Sequence, residues 1–109
     1  NGITPIIITG RVSNIVCKRC QELDVKLVYQ GIHDKLEKLY DIVSDLSQVA
    51  YIGDDLNDLQ CMVEVKKCGG IVGCPCDSVK EVLHISDFVS TYTGGNGAVR
   101  QFIEWILYR

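Results

Sequence analysis

Residues 51–58 read Tyr51-Ile52-Gly53-Asp54-Asp55-Leu56-Asn57-Asp58, so that an apolar run, Val49 to Ile52, ends in a glycine and then delivers three carboxylates, Asp54, Asp55 and Asp58, within five residues. A parallel strand can hand a hard cation to a loop in this way, because Mg²⁺ takes oxygen ligands and keeps several waters. It is usually held by one or two carboxylates together with phosphate oxygens. The competing reading of the octapeptide alone is a solvated acidic turn that caps the following helix.

Other loops offer chemistry of the matching kind. Thr9 stands where the first apolar run stops, with Gly10 allowing close backbone approach, and a hydroxyl beside N–H groups at a helix start forms an anion site. A plain turn would use the same two residues. Arg11 could direct a bidentate donor into a cleft. Asp34 and Glu37 form an Asp-x-x-Glu capping pattern for a helix expected to run through Leu46, which puts Lys35 in its first turn. A cation there opposes the helix dipole by roughly 0.3–1 kcal/mol, a cost that a nearby anion removes. We therefore read Lys35 as a phosphoryl-holding lysine. Gly94-Gly95-Asn96-Gly97 precedes an amphipathic segment and could cradle an anion through backbone N–H groups, with Arg100 one turn inside.

Composition narrows the class. The chain has 109 residues, is 47% apolar and carries a net charge of −3, enough for one small domain over residues 1–109 with its own core. It shows no basic footprint for nucleic acid and no polybasic membrane patch. No apolar stretch approaches the roughly 18 residues that span a bilayer, and the first residues lack signal-peptide character, so the expected compartment is the cytoplasm. The six cysteines, Cys17, Cys20, Cys61, Cys68, Cys74 and Cys76, are read as reduced thiols. Zinc at Cys17-x-x-Cys20 with Cys74-x-Cys76 is disfavoured, because the first pair lies in a helical pattern and the second has too short a spacer. His33 and His84 have no partner at ligand spacing and are read as surface or core-edge residues.

The elements that must position these loops alternate. Short β-branched runs at Pro5–Ile8, Val25–Tyr29, Val49–Ile52, Gly70–Val72 and Phe88–Val89 suit buried parallel strands. Helical spacing relates Val12, Ile15, Val16 and Leu23, then Leu36, Leu39, Tyr40, Val43 and Leu46, and finally Val99, Phe102, Ile103, Ile106 and Leu107. Such alternation predicts an α/β fold with a Rossmann-like, three-layer, mostly parallel sheet. Ligands collect beyond the carboxyl ends of such strands, which is where the polar loops fall.

Taken in order, Ile-Thr-Gly-Arg (8–11), Gln-Gly-Ile-His-Asp-Lys (30–35), Tyr-Ile-Gly-Asp-Asp-Leu-Asn-Asp (51–58) and Gly-Gly-Asn-Gly-Ala-Val-Arg (94–100) resemble the haloacid-dehalogenase superfamily. Within it they resemble the capless 3-deoxy-D-manno-octulosonate 8-phosphate phosphatases, a module also found fused behind cytidylyltransferases that activate sialic acids. The resemblance implies Mg²⁺-dependent hydrolysis of a sugar-acid phosphate. Thr9 then binds the phosphoryl group, Lys35 balances its charge and Asp54 holds the metal directly. Asp55 and Asp58 support the metal and the lysine. Gly10, Arg11, Arg19, Gly95 and Arg100 fall on the substrate side, and Arg11 favours the eight-carbon acid over nonulosonate phosphates. Arg19 is expected to reach a substrate carboxylate, within one subunit or across a subunit boundary, in a homotetramer with shared clefts. Asn96 departs from the arginine often present in the terminal glycine loop.

A larger departure concerns the nucleophile. The superfamily carries it, with its acid/base partner, in an Asp-x-Asp motif on a first, central strand upstream of the region matching Asn1, and this chain has no Asp-x-Asp. The expectation is therefore a C-terminal two-thirds of the enzyme, lacking its central strand. Such a piece would leave two half-sheets with exposed edges or a non-native pairing, and would be inactive alone. It would belong to a longer chain or need a partner. The alternative is a non-catalytic module that assembles an acylneuraminate cytidylyltransferase, and retention of Thr9, Lys35, Asp54 and Asp58 favours the enzyme. A generic nucleotide-binding domain is disfavoured, since neither Gly-x-Gly-x-x-Gly nor a P-loop is present.

Overall fold

The β-branched runs form strands and the amphipathic stretches between them form helices. The structure, a computed structural model, describes residues 3–108 except 11, 13, 15–17, 19, 20, 23 and 96. Its strands are β1 (Ile6–Ile8), β2 (Leu27–Tyr29), β3 (Ala50–Ile52), β4 (Ile71–Cys74) and β5 (Phe88–Val89). Its helices are α1 (Lys35–Ile42), α2 (Leu59–Lys67), α3 (Lys80–Ile85) and α4 (Ala98–Tyr108), with 3₁₀ turns at Leu46–Gln48 and Leu56–Asp58. Between β1 and β2, residues 14, 18, 21 and 22 are also helical.

Every strand pair is parallel, which fixes the α/β class. Ile6 pairs with Leu27 and Ile8 with Tyr29, Ala50 with Ile71 and Ile52 with Gly73, and Gly73 with Phe88. The pairing falls into two sheets, β1–β2 and β3–β4–β5. The chain divides correspondingly into two compact units, residues 1–39 and 40–109.

In the second unit the core is built from Leu46, Cys61, Met62, Val65, Val72, Cys74, Val82, Ala98 and Phe102, all buried. Gly73 has no side chain because the Phe102 ring lies against β4; a β-carbon there would sit 2.6 Å from Phe102 Cε1. Phe102 in turn stacks with Phe88 and Trp105, ring centroids 5.9 and 6.2 Å apart. Cys61 and Cys74 are buried free thiols and Cys68 and Cys76 exposed ones. Cys17 and Cys20 lie outside the described residues.

The end of α2 shows how the sequence terminates a helix. Gly69, with φ +94°, leaves the helix in the left-handed region. Its N–H donates to Lys66 O at 3.1 Å and the Gly70 N–H to Val65 O at 2.9 Å, the bond pair of a Schellman cap. Gly70 is then wedged between carbonyls, since an added Cβ would lie 2.5 Å from Leu46 O and 2.6 Å from Val49 O. Backbone cannot yield as a side chain does. Gly70→Ala is expected to lower unfolding free energy by about 3 kcal/mol, at the upper end of overpacking costs. A urea midpoint equal to wild type would show that this turn relaxes freely.

Several predicted elements need correction. The helix after Asp34 stops at Ile42 instead of continuing through Leu46. Asp45 starts a new 3₁₀ turn there, its carboxylate accepting the Ser47 N–H at 3.0 Å, and it is this turn that buries Leu46. Tyr40, assigned to the apolar face, is half exposed and donates its hydroxyl to Glu64 Oε2 at 2.7 Å, which pushes its pKa up to about 12. Val12 and Val99 are exposed, not on core faces. Ile15, Val16 and Leu23 lie outside the described residues. Strand β4 runs on to Cys74, beyond the predicted end at Val72, because Gly73 and Cys74 pair with Phe88 and Val89.

Candidate active site

In the first unit the site residues sit at the carboxyl ends of two parallel strands. The Thr9 N–H donates to Tyr29 O at 2.9 Å and the Ile32 N–H to Thr9 O at 3.0 Å, so the β1–β2 ladder continues one residue past β1 and stitches the two following turns together. Gly10 follows at close quarters: a Cβ there would lie 3.4 Å from Ile32 O. Asp34 caps α1 as expected, its Oδ1 accepting the Glu37 N–H at 3.0 Å. Lys35 is therefore the first residue of α1, half-buried. Lys38, one turn on, lies over the Tyr29 ring at 4.4 Å and is committed to that face. Arg11 and Arg19 lie outside the described residues, and His33 is exposed.

In the second unit three loops gather at the carboxyl edge of β3–β4–β5, and the three aspartates of the 54–58 segment take different tasks. Asp58 is buried, 5% exposed, and its carboxylate turns inward. Its Oδ2 accepts the N–H groups of Asp54 at 3.1 Å and Asp55 at 3.3 Å, and its Oδ1 accepts the Tyr51 hydroxyl at 2.8 Å. Burial, and then the Asp58 charge, hold the Tyr51 hydroxyl far above its usual pKa, so it remains a donor. Gly53 makes this inward turn possible, since a Cβ there would lie 2.6 Å from Asp58 Cβ. Asp55 closes a capping box with Asp58 over the 3₁₀ turn, its Oδ1 accepting the Leu56 N–H at 2.7 Å.

Asp54 is left as the free carboxylate. Its main chain is tied on both sides, N–H to Asp58 and carbonyl to the Val79 N–H at 3.0 Å. Its side chain is exposed and accepts no hydrogen bond among the described residues. A fixed backbone carrying an unpaired carboxylate at a strand end fits a hard cation that keeps most of its own waters. Among the described residues no three His, Cys, Asp or Glu side chains form an all-protein metal cage. The residues thus fit Mg²⁺ held through Asp54 better than zinc or calcium held by protein alone.

The glycine-rich loop faces this carboxylate. A Cβ on Gly94 would lie 3.7 Å from Asp54 Oδ2, and Gly95 and Gly97 have φ of +81° and +101°. Gln101 of α4 locks the approach to the loop: its Oε1 accepts the Ser90 hydroxyl and, at 2.9 Å, the Thr91 N–H, while its Nε2 donates to Thr91 Oγ1 at 3.0 Å. Arg100 lies on the exposed side of α4, its Nε 3.3 Å from Glu104 Oε1. Such a surface pair holds the guanidinium weakly. Asn96 lies outside the described residues.

Two residues of this edge were not singled out from sequence. Tyr51 looked like part of a buried strand, and its hydroxyl partner Asp58 gave no sign of turning inward. Asp77, in the loop after β4, accepts the Gly94 N–H on its Oδ1 at 2.9 Å. An aspartate two residues past a proline at a strand end was the available signal, obscured because β4 was expected to end before Cys74.

Parallel strands with polar loops at their carboxyl ends, in both units, define an α/β domain of Rossmann-like type, and comparison with known proteins gives its family. No protein-family model matches the chain. The 3-deoxy-D-manno-octulosonate 8-phosphate phosphatase of Escherichia coli strain K12 is 35% identical over 105 residues, covering 93% of this chain and 54% of that protein. The crystal structure of the Moraxella catarrhalis phosphatase of the same name, in complex with magnesium ion, phosphate ion and a KDO molecule, superposes with a TM-score of 0.86 at 40% identity over 97% of this chain and 61% of that one. The cobalt-bound Haemophilus influenzae phosphatase gives 0.78 at 30% identity, over 93% and 61%. The chain belongs to the haloacid-dehalogenase superfamily, in the 3-deoxy-D-manno-octulosonate 8-phosphate phosphatase family. It spans little more than half the length of the curated relatives it matches.

Proposed function

We propose that the protein carrying this chain is a cytoplasmic, Mg²⁺-dependent phosphomonoester hydrolase acting on a sugar-acid phosphate, 3-deoxy-D-manno-octulosonate 8-phosphate in particular. The observation that carries the proposal is the Asp54 carboxylate, which alone of the three aspartates in its loop is unspent on the fold. Asp54 holds the metal, with Asp55 as a supporting carboxylate. Bound there, Mg²⁺ supplies charge to the phosphoryl oxygens and a template for in-line displacement. Thr9 donates its hydroxyl and Lys35 its ammonium to a phosphoryl group, so that positioning and electrostatics carry most of the rate. Gly10, Arg11, Arg19, Gly95 and Arg100 bind the sugar acid, and the active assembly is a homotetramer.

The nucleophile is an aspartate contributed from outside these 109 residues, since no Asp-x-Asp stands at any strand end. Its carboxylate attacks phosphorus and expels the sugar alkoxide, which takes a proton; water then hydrolyses the acyl phosphate. Among the described residues β1 is an edge strand of the first unit's sheet and β3 an edge strand of the second's, and an edge of either kind can take a further strand.

The test is phosphate release from octulosonate 8-phosphate by the protein with its flanking sequence and by the 109-residue chain alone, with Mg²⁺ and with EDTA. The longer protein is expected to turn over at roughly 1–10³ s⁻¹ and to be silenced by EDTA, and the chain alone to give no release. Turnover by the chain alone would sink the external nucleophile. An inert longer protein would leave the assembly module.

A further inference from the structure

The loop between β4 and α3 binds to both other loops of the edge. On one side its Val79 N–H donates to Asp54 O at 3.0 Å; on the other its Cys76 N–H donates to Tyr92 O at 3.1 Å and its Asp77 Oδ1 accepts the Gly94 N–H at 2.9 Å. The loop is itself braced, with the buried Ser78 hydroxyl donating to Pro75 O at 2.7 Å. Gly94 stands between the two acids: a Cβ on it would lie 3.7 Å from Asp54 Oδ2 and 3.8 Å from Asp77 Oδ1. A second carboxylate this close to where a phosphorylated acid is handled opposes substrate by charge. Its benefit is geometric.

We infer that Asp77 is a positioning residue that sets the glycine loop at a fixed separation from the Asp54 carboxylate, and so governs how tightly the sugar-acid end of the substrate is held. This rests on the phosphatase reading above. Without the Asp77 acceptor, Gly94 loses its side-chain anchor from the β4 loop, and with glycines at three of the four positions 94–97 the backbone has many other conformations to visit. Asparagine keeps an oxygen acceptor at the same place and removes only the charge.

The experiment compares Asp77→Ala and Asp77→Asn with wild type in the protein with its flanking sequence. Asp77→Ala is expected to raise KM for octulosonate 8-phosphate about tenfold, with kcat and Mg²⁺ half-saturation within about twofold, because it removes binding shared by ground and transition states. Asp77→Asn is expected to restore KM to within about threefold, as an acceptor does and a pure charge effect would not. Backbone hydrogen exchange over residues 93–99 is expected to rise about tenfold in Asp77→Ala and to return in Asp77→Asn, whether or not the protein turns over substrate. Unchanged exchange in Asp77→Ala overturns the inference, as does an Asp77→Asn as impaired as the alanine. Inactive wild type with the exchange difference intact would refute the phosphatase reading and keep the loop assignment.

Discussion

Asp54→Asn in the protein with its flanking sequence is expected to lower kcat on the sugar-acid phosphate by about 10³-fold or more, the several kcal/mol that a correctly held metal contributes to phosphoryl transfer. Its thermal midpoint should stay where it was. The reason is structural: the Asp54 carboxylate is exposed and accepts no hydrogen bond among the described residues, while the bonds that hold the residue run through its N–H and carbonyl, which the substitution leaves alone. A steady-state assay with Mg²⁺ titration, run beside circular-dichroism melting, separates the two readouts. Wild-type kcat in Asp54→Asn would move the metal elsewhere. A large drop in melting temperature would show that the carboxylate does bear on the fold.

Asp58→Ala is expected to do the reverse, destabilising the protein first and impairing turnover as a consequence. The substitution strips acceptors from the Asp54 N–H, the Asp55 N–H and the Tyr51 hydroxyl in a part-buried turn. Each unsatisfied donor costs about 1–3 kcal/mol, less where water can enter, and the total is on the order of 3 kcal/mol. It also undoes the capping box that begins the 3₁₀ turn at Leu56. Urea denaturation measures the loss. Asp58→Ala with wild-type stability and lost turnover would mean that Asp58 acts on the chemistry and not through the loop. Tyr51→Phe, which removes one of the three donors together with its hydroxyl, should cost less than Asp58→Ala, because it orphans an acceptor that keeps two other bonds.

These contrasting expectations mark how far the sequence carried. Alternating β-branched runs and helical periodicity determined parallel α/β architecture, because strand and helix periods are written locally in side-chain order. Residue types at strand ends, Thr9, Lys35 and the aspartates of 54–58, likewise pointed to phosphoryl and hard-cation chemistry, because a hydroxyl, an ammonium and carboxylates are the groups such ligands recruit. Element ends were less legible where the decision was not local: α1 stops at Ile42 because Asp45 caps a new turn, and β4 runs through Gly73 and Cys74 because Phe88 and Val89 pair with them.

The family resemblance singled out Asp54 among three neighbouring aspartates, and only the tertiary structure showed the physical reason that its side chain remains available. Spacing makes Asp54, Asp55 and Asp58 near equivalents; the chain direction at Gly53 turns Asp58 inward onto two N–H groups and a tyrosine hydroxyl, spends Asp55 on a cap and leaves Asp54 open. The role of Asp77 was hidden for the same reason. Its partner Gly94 is 17 residues away, and a hydrogen bond over that distance is chosen by where β4 and β5 place their loops, not by anything adjacent in the chain.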